Sequence, residues 1–199
     1  MKSPYQGKDE SQWEAIIKRL IQSHPLKENE IAEVVLKSWG DIFNSKIGSF
    51  YIGKEIFPSP QIMSFFLHEL VAHYLGQRHP GVFRVGTEKH EKDIHHESNP
   101  ELSVEIKASS HSSQIFGNRS YAQPESGIGR KSKTGFYLTI NFEGFDRHST
   151  KHPEILMIRF GYLEHSDWIA QKAATGQQAR LKPEVYRSKL KVLYEGKKN

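Results

Sequence analysis

Two acidic side chains and one lysine between residues 93 and 107 have the types and spacing needed to hydrolyse a phosphodiester bond. Apolar and polar residues alternate over residues 102–108, which is the period of a half-buried β-strand. Glu105 and Lys107 therefore lie on one face, roughly 7 Å apart along the strand. Asp93, from a neighbouring strand, can add a second carboxylate. Two carboxylates suit a hard cation such as Mg²⁺, which prefers oxygen ligands.

Phosphodiester cleavage explains why these residue types would be needed. The reaction requires a nucleophilic water and stabilisation of the negative charge that develops on the phosphate, and a bound metal ion contributes to both. Lys107 would orient or deprotonate that water and neutralise the developing charge. The simpler alternative is a surface strand that carries an ordinary Glu/Lys pair.

The distribution of charge favours the nuclease interpretation. Residues 88–105 carry six acids against two lysines in a chain of net charge +5, whereas residues 180–199 carry seven basic residues against two acids. Basic side chains can meet DNA phosphates while the carboxylates hold the metal. Solvated charged faces and a frayed basic tail would produce a similar pattern without any nucleic-acid partner.

Length and composition predict one cytoplasmic domain. The 199 residues are 36% hydrophobic, which is enough for one sizeable core, and no segment resembles an interdomain linker. The chain has no cysteine, which excludes disulfides and a thiolate zinc site. No apolar stretch has the length of a signal peptide or a membrane span. We expect a single domain over residues 1–199, with a helical part at 1–79, a catalytic sheet at 80–165 and helices at 166–199.

The N-terminal part is predicted to be helical. Apolar residues recur with helical spacing over residues 13–21 and again over residues 31–42, which indicates two amphipathic helices. A third, largely buried helix is predicted over residues 61–75 and closed by Gly76. Helices therefore precede the sheet along the chain.

The third predicted helix contains two histidines that invite a zinc-protease interpretation. The zinc motif needs histidines at i and i+4, whereas His68 and His73 are five positions apart and project roughly 140° away from each other. Their spacing excludes that motif. Glu69 in the same helix remains a candidate for a further acid beside the metal site.

The second half of the chain is predicted to form the sheet. Strands are expected at residues 82–85, 102–108, 136–142 and 155–162, followed by helices at 167–175 and 183–194. The predicted fold class is α/β, with a mixed central sheet of four to five strands flanked by helices and with Asp93 and Glu105 on adjacent strands. The polar run at residues 109–135 is long for a loop, and loops of that length are usually functional or disordered.

Several longer motifs share one family resemblance. They are Lys92-Asp93, Val104-Glu105-Ile106-Lys107-Ala108-Ser109-Ser110, Gly117-Asn118-Arg119-Ser120-Tyr121-Ala122-Gln123, Ile158-Arg159-Phe160-Gly161, Asp167-Trp168 and Thr175-Gly176-Gln177-Gln178-Ala179-Arg180. Together these motifs, which span roughly residues 80–195, resemble type II restriction endonucleases of the PD-(D/E)XK superfamily, and most of all the ScaI family.

The resemblance implies roles for individual residues. It gives Asp93, Glu105 and Lys107 the superfamily's catalytic places, with Asp93, Glu105 and Ile106 as the metal ligands. Lys92 stands where the name-giving proline would be. This departure leaves the neighbouring acids Glu91 and Glu97 as alternatives to Asp93.

The resemblance also implies an activity. Enzymes of this kind typically act as homodimers that hydrolyse double-stranded DNA at short palindromes with Mg²⁺, and the ScaI family implies the palindrome AGTACT. A restriction-modification system would supply a cognate methyltransferase to protect the host. The alternatives are a DNA-binding module without catalysis and a repair, RNA or junction nuclease on the same core.

Two segments are candidates for reading the DNA sequence. Asn and Gln can pair bidentately with adenine and Arg with guanine, and a two-fold dimer would present the same groups to each half-site. The candidate DNA-binding residues are Asn118, Arg119, Ser120, Tyr121, Gln123, Arg130, Lys131 and Lys133 in the first segment and Gln177, Gln178 and Arg180 in the second. The simpler alternatives are an ordinary turn at residues 117–118 and a phosphate contact by Arg119.

Two further histidines lie close in sequence to the acidic cluster. Because Mg²⁺ prefers oxygen ligands, His95 and His96 are expected to be phosphate-side or structural residues rather than metal ligands.

Overall fold

The computed structural model describes residues 3–123, 131–146, 151–171 and 177–197. The helices in this part of the chain are α1 (Glu10–Ser23), α2 (Glu28–Phe43), α3 (Pro60–Arg78) and α4 (Pro183–Ser188). The strands are β1 (Lys46–Ile47), β2 (Phe50–Tyr51), β3 (Phe83–Val85), β4 (Ile94–His96), β5 (Val104–Ser109), β6 (Phe116–Asn118), β7 (Gly135–Phe142), β8 (Ile155–Leu163), β9 (Trp168–Ala170), β10 (Gln178–Leu181) and β11 (Leu190–Glu195).

The central sheet has mixed pairing. Its strand order is β11-β8-β7-β5-β4-β3, and only the pairing of β5 with β7 is parallel among these strands. The predicted fold class is confirmed: a mixed sheet is flanked by helices, and helices come first along the chain. The described residues give this sheet six strands rather than four or five, because the C-terminal segment joins its edge.

The predicted N-terminal helices are confirmed, and their ends have local causes. The α1 helix begins with a capping box, in which the Gln12 side chain accepts a hydrogen bond from the main-chain N–H of Asp9. The α3 helix begins at Pro60, where a proline costs no hydrogen bond. The predicted end of α3 at Gly76 is wrong, because the helix continues to Arg78. A Cβ at Gly76 would lie 3.2 Å from the carbonyl oxygen of Phe83, so the glycine lets β3 pass close to the helix.

The two predicted C-terminal helices are wrong in part. Residues 168–170 form β9, which pairs with β10, and residues 190–195 form β11, which pairs with β8. Residues 172–175 of the first predicted helix lie outside the described residues. Helix α4 covers only residues 183–188. Short apolar runs fit a helix or a strand equally well, and here the pairing with distant strands decides between them.

Apolar side chains pack on both faces of the central sheet. The larger cluster joins α1, α2 and α3 to the face that carries Ile106, Leu138 and Phe160. The smaller cluster lies around Tyr137 and Trp168 and joins the opposite face to a three-stranded sheet of order β6-β10-β9. No helix in the described part of the chain is long and apolar enough to cross a membrane.

Candidate active site

Strand β5 presents the predicted acid and lysine on the same face. Lys107 Nζ donates a hydrogen bond to Glu105 Oε1 over 2.6 Å, which confirms that the two side chains point the same way. Ile106, between them, is fully buried on the opposite face. In the parallel pair with β7, Glu105 lies opposite Tyr137 and Lys107 opposite Thr139. The alternation of strand side chains therefore turns both functional groups toward the smaller of the two packing clusters.

Asp93 is oriented toward β5 by a main-chain hydrogen bond. It immediately precedes β4, in which Ile94 lies opposite Val104, and one further step in that antiparallel register brings Asp93 opposite Glu105. The main-chain N–H of Ile106 donates to Asp93 Oδ2 over 2.7 Å. This bond fixes one oxygen of Asp93 against β5 and leaves the other available at the site.

The two carboxylates meet at one ammonium group. Lys131 Nζ lies 3.3 Å from Asp93 Oδ1 and 2.9 Å from Glu105 Oε2. Lys131 was predicted to contact DNA, and nothing in the local sequence marks it as a partner of the acids. Its contact with Glu105, 26 residues earlier in the chain, cannot be inferred from residue spacing.

Glu105 is the most enclosed of the three predicted catalytic residues. Its side chain is only 4% exposed, and Oε1 accepts hydrogen bonds from Lys107 Nζ and from the Tyr121 hydroxyl, the latter over 2.7 Å. Burial by itself would raise its pKa, but the positive charges of Lys107 and Lys131 outweigh burial and lower the pKa of Glu105 to about 2. Glu105 is therefore ionised at neutral pH.

Lys107 is held at the site by contacts on several sides. Its Nζ also donates to the carbonyl oxygen of Ile106 over 3.2 Å, and it lies 4.9 Å from the centre of the Tyr121 ring, within the range of a cation–π interaction. The Lys107 side chain is 15% exposed. It is thus positioned by the protein yet remains partly accessible to solvent.

Helix α3 brings a histidine, not the predicted glutamate, beside the carboxylates. His68 Nδ1 lies 3.8 Å from Asp93 Oδ2, and its Nε2 is buried without a hydrogen-bond partner in the described part of the chain. Glu69 lies about 100° further round the helix. It is 46% exposed and faces His73 at 3.8 Å.

The two alternative acids near Asp93 have other surroundings. Glu91 accepts two hydrogen bonds from Arg84 and one each from the main-chain N–H groups of Thr87 and Glu88. The Arg84 hydrogen bonds hold the pKa of Glu91 well below its usual range. Glu97 is exposed to solvent. The geometry therefore favours Asp93 over both as the partner of Glu105.

The histidines next to this acidic segment have structural contacts. His96 is buried, and its ring lies against Phe83 with centroids 4.8 Å apart. His95 Nε2 lies 3.4 Å from Glu91 Oε1. Each ring is thus engaged by a neighbouring side chain, and it stays a prediction that neither histidine binds the metal.

The donor set at the carboxylate pair fits a hard divalent cation. Glu105 Oε2 is buried and receives no well-aligned hydrogen bond within the described residues, although Lys131 Nζ lies 2.9 Å away. Asp93 supplies a second carboxylate, and the main-chain carbonyl of Ile106 is the only group by which that residue could coordinate a metal. No group of three or more His, Cys, Asp or Glu side chains with metal-binding geometry occurs in the described residues. Mg²⁺ commonly uses only one or two carboxylates together with waters and a substrate phosphate.

The two predicted recognition segments pair with each other. Strands β6 and β10 are antiparallel, with Asn118 opposite Gln178 and Phe116 opposite Arg180. Ala179, between the two β10 side chains, is fully buried, so Gln178 and Arg180 project from the other face, where both are exposed. Residues 60 positions apart in sequence therefore form one polar surface.

A groove runs beside this surface. It has a volume of ≈ 680 Å³ and is lined by the first turns of α3, the end of β5 and the strands β6 and β10. Asn118, Gln177 and Gln178 are among its lining residues. The groove thus connects the predicted recognition residues to the strand that carries Glu105 and Lys107.

The remaining predicted DNA-binding residues differ in their surroundings. Asn118 Oδ1 accepts hydrogen bonds from the main-chain N–H and the hydroxyl of Ser120, while Arg119 and Gln123 are exposed. Lys133 Nζ donates to the carbonyl oxygens of Ser120 and Gln123. Arg130 lies outside the described residues.

Tyr121 is the clearest departure from the predicted DNA-binding set. It is 8% exposed, its ring packs against Trp168 with centroids 4.7 Å apart, and its hydroxyl donates to Glu105. These contacts leave it supporting strand β5 rather than facing solvent. A Cβ at Gly117 would overlap the Tyr121 ring, so the glycine in the 117–123 motif makes room for this arrangement.

Comparisons with known proteins identify close sequence relatives. Residues 3–194 match the model of the ScaI restriction endonuclease family. The chain is 40% identical to the type II restriction enzyme ScaI of Streptomyces caespitosus over 195 residues, which cover 98% of this chain and 86% of that enzyme. Among solved structures, the chain is similar to the restriction endonuclease BglI bound to its DNA recognition sequence, with a TM-score of 0.43 and 11% identity over 92% of this chain and 88% of the other.

Proposed function

This chain belongs to the ScaI restriction endonuclease family, and from that premise we propose that it cuts double-stranded DNA at a short palindrome with Mg²⁺ held by Asp93 and Glu105. The family assignment makes it a type II site-specific deoxyribonuclease. The metal site and the roles of individual residues are our proposal. The proposal rests on one observation. The Lys131 ammonium lies within 3.3 Å of both Asp93 and Glu105, and Lys107 forms a second ion pair with Glu105.

The carboxylates would hold the metal ion together with the carbonyl oxygen of Ile106. When bound, Mg²⁺ would polarise the scissile phosphate and lower the pKa of a bound water. Glu105 is suited to this task because it stays ionised at neutral pH. The N–H of Ile106 keeps Asp93 turned toward β5, so both acids are oriented before the cation arrives.

Lys107 would act on the reacting groups directly. Its ammonium donates to Glu105 Oε1 and lies at the partly exposed side of the site. From there it can donate a hydrogen bond to a non-bridging phosphate oxygen, or orient the attacking water, and it neutralises the charge that develops on the phosphate. Tyr121 would contribute by holding Glu105 Oε1 in place.

The exposed face of strands β6 and β10 would read the DNA sequence. Asn118, Gln178 and Arg180 carry the amide and guanidinium groups that pair with adenine and guanine in the major groove. Arg119 and Lys133 would contact phosphates or bases nearby. We propose AGTACT, the palindrome that the ScaI family implies, as the first sequence to test.

A palindromic recognition sequence has two equal half-sites, so it requires two copies of the DNA-reading site. A two-fold homodimer would present the same side chains to each half-site and place one metal centre at each strand. Sedimentation velocity of the protein with and without duplex DNA would test the assembly. A single monomer bound per duplex would contradict the homodimer.

Plasmid digestion tests the whole proposal. The protein is incubated with plasmid DNA in Mg²⁺, with EDTA as the control, and the fragment ends are sequenced. Discrete fragments that share one palindrome are expected in Mg²⁺ and none in EDTA. Retarded but uncut DNA would indicate a binding module, and nicking or a smear would indicate a nuclease without sequence specificity.

A further inference from the structure

We propose that the ammonium of Lys131 occupies the position that the divalent cation must take, so that metal binding requires Lys131 to move away. This inference rests on the proposed metal site at Asp93 and Glu105. It assigns to Lys131 a positioning and gating role in place of a simple phosphate contact.

The geometry places one cation between two anions. Lys131 Nζ lies 3.3 Å from Asp93 Oδ1 and 2.9 Å from Glu105 Oε2, so it neutralises one oxygen of each acid. A Mg²⁺ ion binds carboxylate oxygens at about 2.1 Å. An ammonium that stayed within hydrogen-bonding distance of the same two oxygens would lie against the ion and repel it. The ammonium and the metal ion are therefore mutually exclusive.

Lys107 is not equivalent to Lys131 in this respect. Lys107 contacts only one of the two acids, through Oε1 of Glu105, and it is also held by the Ile106 carbonyl and the Tyr121 ring. Lys131 contacts both acids through the oxygens that face the gap. Lys107 can stay in place when a metal ion enters, whereas Lys131 cannot.

Lys131 is also able to leave. Its side chain is 27% exposed, against 15% for Lys107 and 4% for Glu105, and residues 131–134 form no helix or strand. The ion pair with Glu105 Oε2 lacks the alignment of a good hydrogen bond. A long flexible stem can therefore carry the charge from the carboxylates to a phosphate oxygen nearby.

DNA and metal should consequently bind with positive coupling. In the free protein, Lys131 keeps the two acids together and opposes entry of the cation. A DNA phosphate at the site offers the ammonium another anionic partner, which frees the carboxylates. Coupling of this kind between two ligands is commonly worth about 5- to 150-fold in affinity.

The test measures Mn²⁺ binding to the DNA-free protein by the loss of the electron paramagnetic resonance signal of the free ion. The wild type is compared with Lys131→Met, which keeps the length of the stem and removes the charge, and with Lys131→Arg, which keeps the charge. Asp93→Asn defines the site, and Lys18→Met removes an exposed lysine of α1 as the control for net charge.

We expect Lys131→Met to bind Mn²⁺ at least about tenfold more tightly than the wild type, while Lys131→Arg and Lys18→Met bind like the wild type. In EDTA, Lys131→Met should melt at a lower temperature than the wild type, because its two acids then lack a counter-charge. When Mn²⁺ replaces EDTA, the melting temperature of Lys131→Met should rise by more than that of the wild type.

Two failures are distinguishable. If Asp93→Asn abolishes Mn²⁺ binding but Lys131→Met binds no more tightly than the wild type, the metal site stands and the role of Lys131 is wrong. Equal tightening in Lys18→Met would likewise overturn that role, since net charge would then explain the effect. If no variant binds Mn²⁺ at Asp93, the proposed metal site itself fails.

Discussion

The hydroxyl of Tyr121 donates a hydrogen bond of 2.7 Å to Oε1 of Glu105. This contact joins the segment at residues 117–123, which carries candidate DNA-reading side chains, to the strand that carries the proposed metal ligands. The Tyr121 ring packs against Trp168 and lies close to Gly117, so the segment and strand β5 are packed together. A movement of this segment when DNA binds would therefore change the hydrogen bond to Glu105 directly.

Tyr121→Phe tests whether this tyrosine supports the metal ligand or reads bases. The substitution removes one of the two hydrogen bonds on Glu105 Oε1 and keeps the ring. Loss of such a supporting contact typically costs about 10- to 100-fold in metal affinity or activity. We expect that reduction in the cleavage rate with an unchanged recognition sequence, measured by digestion time courses and sequencing of fragment ends.

The matched control is Tyr186→Phe, because the Tyr186 hydroxyl is also partly buried and hydrogen-bonded, but it accepts from the main-chain N–H of Ile115 and does not bond a carboxylate. It should alter stability and leave the cleavage rate near that of the wild type. Relaxed sequence specificity in Tyr121→Phe, with full activity at the cognate site, would instead make Tyr121 a base-reading residue.

Lys107→Ala tests the proposed catalytic lysine. Without its ammonium, nothing on β5 would neutralise the phosphate or orient the water, and we expect cleavage to fall by about 10²- to 10⁴-fold. DNA binding should persist, since phosphate contacts elsewhere supply most of the affinity. Gel-shift assays in Ca²⁺ measure binding and plasmid digestion in Mg²⁺ measures cleavage, with Lys18→Ala as the control. Cleavage at a near wild-type rate would remove Lys107 from the mechanism.

The elements predicted correctly are those whose apolar and polar residue types follow a regular period. Ile16, Ile17 and Ile21 give α1 a buried stripe, and β5 alternates because one of its faces carries Ile106 and the other Glu105. Such patterns are local, so the sequence alone reveals them. The pairing of Glu105 with Lys107 could be predicted for the same reason.

The features that sequence analysis missed depend on contacts between distant segments. Strands β9 and β11 form where β10 and β8 lie beside them. Tyr121 and Lys131 lie 16 and 26 residues from Glu105 in sequence, and both contact it in the fold. No residue spacing encodes these contacts, and both residues were predicted to contact DNA because of their residue types.

Asn118→Ala and Gln178→Ala test the proposed reading surface. The two residues lie directly opposite each other in the β6–β10 pair. Loss of a bidentate base contact costs about 1–3 kcal/mol of discrimination against the wrong base, so each variant should cut near-cognate sites more readily relative to the cognate site. Rates on duplexes with single base-pair changes measure this ratio, and Gln22→Ala on the exposed side of α1 serves as the control.

Because the two side chains are neighbours, the double variant carries further information. Shared contact with one base pair predicts that the two losses are not additive. Additive losses would assign the residues to different base pairs, and unchanged specificity in all three variants would assign the surface to folding or to phosphate contact.

His24 gives the fold a defined sensitivity to acid. The side chain is fully buried among Phe83, Phe136 and Phe160. Its Nδ1 accepts a hydrogen bond from the N–H of Leu26, so Nε2 carries the proton and donates to the Leu102 carbonyl oxygen over 2.9 Å. Burial lowers the pKa of His24 from 6.5 to about 4.

The direction of the pH effect follows from proton binding. Between pH 6.5 and 4 the unfolded chain protonates this histidine and the folded chain does not, so acid stabilises the unfolded state and the free energy of unfolding falls as the pH is lowered. From pH 7 to pH 4.5 this loss is about 2–3 kcal/mol.

His24→Gln keeps a buried polar side chain that does not titrate, so it should lose about that much less stability over the same interval, even if it is less stable at pH 7. Urea unfolding at both pH values measures the difference. His73→Gln, at a histidine that is 61% exposed, should retain the wild-type dependence, and an equally steep loss in His24→Gln would place the acid sensitivity elsewhere.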